Sequence, residues 1–212
     1  MAVVRPDHVL GLWDHLGKEV GFRVADKRDS ALMSTAGRLV EVVTRGKQSA
    51  EDFLRRYVTT LPLPPPWGLT VFAPFALGVP TPEWSLESQF SVAPHEAQHG
   101  VQWLRDGVSW VVLYGLPTDE ADGSRGAADR ARFETEAKEA TETVRWAVRG
   151  TTSGYEANAA GLSSYGCSVG DVRVSAEELR LADQTIRAGG ISTSAARLAI
   201  DWRNKFAPEL VP

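Results

Sequence analysis

Apolar and polar positions along the chain predict helices at both ends and a mixed stretch between them. To about Leu61 the spacing is helical. Asp7 is placed to cap a helix carrying Val9, Leu10, Trp13 and Leu16. Asp29 or Ser30 opens a second, with Leu32, Leu39, Val42 and Val43 on its inner side. Ser49 followed by Asp52 resembles a capping box ahead of Phe53, Leu54 and Tyr57. The proline-rich run from Leu61 to Pro66 cannot continue a helix and reads as an extended linker on the surface. Gly68 to Phe75 has the β-branched and aromatic content of a strand, and Leu86 to Val92 is expected to form a second one after a loop at Pro80, Pro82 and Trp84. A helix is expected from about His95 to Gly107, with Pro94 requiring His95 to lie near its start.

Beyond Gly107, the apolar run Ser109 to Leu116 reads as a second packed helix, and Pro117 to Gly126 as a loop. Ala127 to Arg149 carries Phe133, Ala137, Ala140, Val144 and Ala147 at alternating spacings of four and three, a helical stripe. Tyr155 to Tyr165 is rich in small residues, with Gly161 a helix end. Ser175 and Glu178 form a capping box ahead of Leu179, Ala182 and Ile186, and Gly189-Gly190 breaks that helix. Ser192 or Ser194 starts the last helix, and the two are expected to form an αα-hairpin. The fold class expected is α+β, mainly α: a core with a small sheet (62–150) between helical regions at 1–61 and 151–212, packed as one compact domain.

Composition narrows the partners. The 212 residues are 43% hydrophobic and 24% charged, enough apolar content for a core. The net charge is −4 with no cluster of Lys and Arg, which argues against nucleic acid. Cys167 is the single cysteine, so no internal disulfide can form, and a reducing compartment is the simplest expectation. No stretch of about 18 apolar residues occurs, and residues 1–20 lack the apolar core of a signal peptide. A cytoplasmic protein without a membrane partner is the expectation.

The chemistry concentrates in His95-Glu96-Ala97-Gln98-His99, an H-E-x-x-H pattern. On a helix the two histidines return to nearly the same face one turn apart, where two imidazoles can grip one metal ion. Glu96 lies about 60° around the helix from His99, beside the metal face, where a carboxylate can take a proton from a metal-activated water. Gln102, seven residues after His95, shares that face and is a candidate to support a ligand from behind. With only four histidines, this pattern would arise in roughly one shuffled chain in 250. His8 and His15 lie seven apart in the first helix and read as ordinary amphipathic positions.

Four glutamates share the 127–149 helix. With the apolar stripe as zero, Glu136 falls at about −60°, Glu134 at about +100°, Glu139 at about −120° and Glu142 opposite. Glu136 alone borders the expected buried face. A carboxylate there needs a partner, either a bound metal or Arg132, Arg145 or water.

Residues 95–140 resemble the small gluzincin-type zinc metallopeptidase domains of the bacterial or phage-encoded kind. The resemblance rests on His95-Glu96-Ala97-Gln98-His99, on Val101-Gln102-Trp103, on Trp110 and Tyr114, and on Glu134-Thr135-Glu136-Ala137-Lys138-Glu139-Ala140. It implies Zn²⁺ held by His95, His99 and Glu136, Glu96 as general base, and a peptide or protein substrate. Tyr114, Tyr155 and Tyr165 are all candidates to stabilise an oxyanion. The rival expectation is a non-enzymatic phage or mobile-element structural or interaction protein that keeps the metal as a clip, or keeps the motif without metal.

Overall fold

The computed structural model describes residues 3–43, 49–115 and 125–212. It is α+β and mainly α, as expected. The elements are α1 (Pro6–Val20), β1 (Phe22–Asp26), α2 (Ala31–Val43), α3 (Ala50–Arg56), β2 (Thr59–Leu63), β3 (Gly68–Ala73), α4 (Leu86–Asp106), α5 (Val108–Gly115), α6 (Arg125–Arg149), α7 (Tyr155–Ala160), a 3-10 turn at Gly161–Tyr165, α8 (Val169–Arg187) and α9 (Ser194–Phe206). The chain packs as two compact units that divide within α4, between Phe90 and Ser91. The boundaries expected after residues 61 and 150 follow shifts in composition, whereas this division follows packing.

In Val4–Phe90 a three-stranded sheet of order β1-β3-β2 is the scaffold. β1 runs parallel to β3 with Phe22 opposite Leu69, and β2 runs antiparallel to it with Leu63 opposite Gly68. β1 and β2 were not expected, because strands of five residues give little periodicity against neighbouring helical spacing. The Leu61–Pro66 run is therefore a strand and a turn rather than a linker. β2 is an edge strand, where Pro62 needs no ladder donor.

α1 packs Val9, Leu12, Trp13 and Leu16 into the core of this unit. Its cap is not Asp7: Pro6 is the first helical residue, and the His8 ring accepts the Arg5 N–H through Nδ1. α2 turns the other way from expectation. Met33 and Gly37 face inward, while Leu32, Leu39 and Val42 are exposed. A Cβ on Gly37 would lie 3.2 Å from the Ala50 carbonyl oxygen and from Phe53, so the absence of a side chain sets this face against α3. The Val43 side chain lies outside the described residues. Ser49 caps α3 through the Asp52 N–H, as expected.

The second strand expected over Leu86–Val92 is instead the first turns of α4. Ser85 starts the helix by accepting the Ser88 N–H with its hydroxyl. Buried Gln89 then ties the preceding loop down, accepting from the Gly78 N–H and donating to the Val79 and Trp84 carbonyls. Pro94 consequently sits inside α4 rather than at its start. His95 lies well inside too.

In Ser91–Pro212, α6 is the central element, with α5, α8 and α9 packed on it. Phe133, Ala137, Ala140 and Val144 are buried as the stripe predicts, but so are Glu134, Thr135, Glu142 and Thr143. A helix contacted from several sides has no single buried face. α8 begins earlier than expected: Ser168 and Asp171 cap it reciprocally, and Ser175 is buried in its interior. Thr193 caps α9. α8 and α9 each lie along α6, which replaces the expected hairpin as the main contact of both. The loop expected over Pro117–Gly126 lies outside the described residues, apart from Arg125 and Gly126, which begin α6.

Candidate metal centre

α4 presents His95 and His99 one turn apart, with ring centroids 4.9 Å apart and planes nearly perpendicular. α6 brings Glu134 between them. Its Oε2 lies 3.5 Å from His95 Nε2 and its Oε1 lies 3.5 Å from His99 Nε2. One ligand atom from each of the three residues falls within 4.8 Å of the others. The Glu134 side chain is 1% exposed, His99 5% and His95 14%, so the way in from solvent is past His95.

The resemblance puts the third ligand at Glu136, whereas among the described residues the glutamate that clusters with His95 and His99 is Glu134. Glu136 is 26% exposed and faces Arg105 at 3.3 Å, with the amides of Gln98 and Gln102 on the same carboxylate. The helical-face argument failed because it took the apolar stripe as the only buried side of α6. Glu134, about 100° around from that stripe, is more buried than Glu136.

The cluster is walled by aromatic rings from α5. Trp110 and Tyr114 stack at 5.0 Å between centroids, and Tyr114 meets His99 edge-on at 5.4 Å. The Tyr114 hydroxyl donates to Glu134 Oε1 in a short hydrogen bond. Arg130 holds the end of α5 by donating to the Tyr114 carbonyl. Gln102 Oε1 lies 2.9 Å from His99 Nδ1. Glu96 is buried, and its charge acts on both His99 and Tyr114. Tyr155 lines a separate small cavity with Glu139, Glu142 and Leu179, and Tyr165 offers its carbonyl to Arg130. Tyr114 is the tyrosine whose hydroxyl reaches the Glu134 carboxylate. His8 caps α1, and His15 remains an ordinary position on that helix. Glu134 and the buried Gln98 were the residues missed. The only advance signal for Gln98 was its spacing of one turn from Gln102.

Electrostatics bind the three residues together. Burial alone would raise the Glu134 carboxyl, but the His95 and His99 imidazoles outweigh it and hold Glu134 well below the usual carboxylate range. Burial likewise opposes the charged form of His99, yet Glu134, with Glu96 behind it, pushes His99 up to about 9. The Tyr114 phenol is driven well above its usual value by burial and by Glu134.

The donor set fits a metal ion. Glu134 Oε2 is buried without a hydrogen-bond partner, a costly state that a cation would relieve. Two imidazoles and a carboxylate are the donors of open zinc sites. No protein-family model, curated protein or solved structure matches this chain. The class the structure defines is thus a protein with a buried cluster of two histidines and one glutamate able to hold a metal ion.

Proposed function

We propose that the chain is a zinc-dependent metallopeptidase. The observation that carries this reading is the Glu134 carboxylate, buried between the His95 and His99 imidazoles with its Oε2 making no hydrogen bond. His95, His99 and Glu134 would hold Zn²⁺, which when bound supplies Lewis acidity and lowers the pKa of water to about 7. Glu96, one residue along α4 from His95, accepts the proton from the attacking water and returns it to the leaving amine. Tyr114 fixes the Glu134 carboxylate by its hydroxyl, and the Trp110–Tyr114 wall keeps water from the far side of His99. The substrate is a peptide bond that reaches the site past His95, the most exposed of the three. The single cysteine, buried at Cys167, suits work in the cytoplasm.

A structural metal clip is the second reading, favoured by the burial of Glu96 and His99. Glu96→Gln separates the two. Under the peptidase reading the variant keeps its zinc and loses hydrolysis of a mixed peptide library. Hydrolysis by the variant at the wild-type rate would remove Glu96 from the chemistry. A zinc-loaded wild-type protein that cleaves nothing would favour the clip.

A further inference from the structure

The two glutamates of the E-x-E pair on α6 face different work. Glu134 meets the imidazoles, whereas Glu136 accepts from Gln102 Nε2 at 3.1 Å and from Arg105 at 3.3 Å. The other proton on Gln102 Nε2 goes to the Phe133 carbonyl at 2.8 Å. Both amide donors are therefore used. Turning the amide over would aim its oxygen at a carbonyl and a carboxylate at once, two repulsive contacts in a buried place. On the other side, the Trp110 indole N–H points at Gln102 Oε1 at 3.3 Å, and an indole can only donate. The oxygen end of Gln102 is thus fixed from both sides, and it faces His99 Nδ1 at 2.9 Å. An acceptor there requires a proton on Nδ1. That leaves Nε2, the nitrogen facing Glu134, as the ligating atom.

We propose that Gln102 and Glu136 are positioning residues: Glu136 orients the Gln102 amide, and Gln102 holds His99 in its Nδ1–H form so that Nε2 is presented to the metal. This rests on the reading of His99 as a metal ligand, but the tautomer can be measured without metal. A ligating histidine whose other nitrogen is held in this way gains orientation and basicity, and loss of such a partner typically weakens metal binding about 10- to 100-fold.

The test uses the full chain with ¹⁵N-labelled histidine and long-range ¹H–¹⁵N NMR. Spectra are taken with zinc, and without metal at about pH 10 in a Glu134→Ala background, because the Glu134 carboxylate 3.5 Å from Nε2 would otherwise compete with Gln102 for the imidazole proton. His99 is expected to be protonated at Nδ1 in the zinc-bound wild type and in the metal-free Glu134→Ala protein. Gln102→Leu removes the acceptor and should give a mixture of tautomers, with zinc bound about 10- to 100-fold more weakly. Glu136→Ala, at a partly exposed position, removes one of the three contacts that orient the amide and should shift the tautomer in the same direction by less, with the Phe133 carbonyl and the Trp110 N–H still holding it, and it covers the case in which Gln102→Leu does not fold. Protonation at Nε2 in the metal-free Glu134→Ala protein would overturn the inference. So would an unchanged tautomer and zinc affinity in both Gln102→Leu and Glu136→Ala. A wild type that takes up no zinc, together with Nδ1 protonation in the Glu134→Ala protein, refutes the metal site and supports the positioning by Gln102.

Discussion

Glu134→Gln removes one buried negative charge and almost no volume, which makes it the cleanest perturbation of the cluster. In the metal-free protein, Glu134 at 3.5 Å is the main cause raising His99 to about 9 from an ordinary 6.5, with Glu96 adding to it. A histidine whose folded value is raised stabilises the fold fully below the unfolded value of 6.5. That stability is lost as pH rises through 9. The window is about 2.5 pH units at about 1.4 kcal/mol each, or about 3 kcal/mol in all. The depression of Glu134 is the same interaction seen from the other partner and is not counted again. For a unit of this size about 3 kcal/mol corresponds to roughly 10 °C in Tm. Melts in chelator from pH 6 to pH 10, followed by circular dichroism, should show the wild type losing its advantage over Glu134→Gln across pH 6.5–9. The comparison cancels groups common to both proteins. Parallel curves, with a constant gap or none, would refute the coupling of His99 to Glu134.

Three further outcomes follow from other parts of the fold. Glu139 is pushed up to about 7, chiefly by burial, with the Ser192 hydrogen bond opposing and the Glu136 and Glu178 charges reinforcing. The sign is that of a raised acid: its contribution is full below pH 4.5 and is lost as pH rises through 7, so Glu139→Gln should be about 1–2 kcal/mol more stable than wild type at pH 8 and near-equal at pH 4.5, by urea melts. Gly17→Ala would put a Cβ 2.9 Å from the Phe22 carbonyl oxygen, where α1 turns closely into β1, and should cost about 1–3 kcal/mol; a neutral result would show that this turn yields easily. Lys27 is fully buried, donates to the Tyr57 carbonyl and Thr59 hydroxyl and lies over the Phe53 ring, so Lys27→Ala should cost about 2–4 kcal/mol in chemical unfolding, and a loss below about 0.5 kcal/mol would contradict that role.

What could be read from the sequence was whatever depended on local spacing. The histidine pair, α5, the α6 stripe and the Ser49 cap all follow from residues within a turn or two of one another. Expectations failed where distant packing decides. Leu32, Leu39 and Val42 form a convincing stripe, but a bare Gly37 against α3 turns the opposite face inward. β1 and β2 exist because β3 lies between them, which five-residue segments do not announce. Pro94 looks like a helix start, yet Ser85 begins α4 more than two turns earlier. Glu134 was passed over for the same reason. Its angle on α6 is polar by pattern, and only the arrival of α4 and α5 on that side makes it the buried partner of two imidazoles.

The most direct measurement of the central claim is zinc content per chain, by elemental analysis of protein purified without chelator or histidine tag, for the wild type, His99→Ala, Glu134→Ala and Glu136→Ala. The proposed function predicts about one zinc per chain in the wild type. It predicts none in His99→Ala or Glu134→Ala, and a weakened but measurable site in Glu136→Ala. No zinc in the wild type at micromolar supply, or zinc kept by Glu134→Ala and lost by Glu136→Ala, would contradict it.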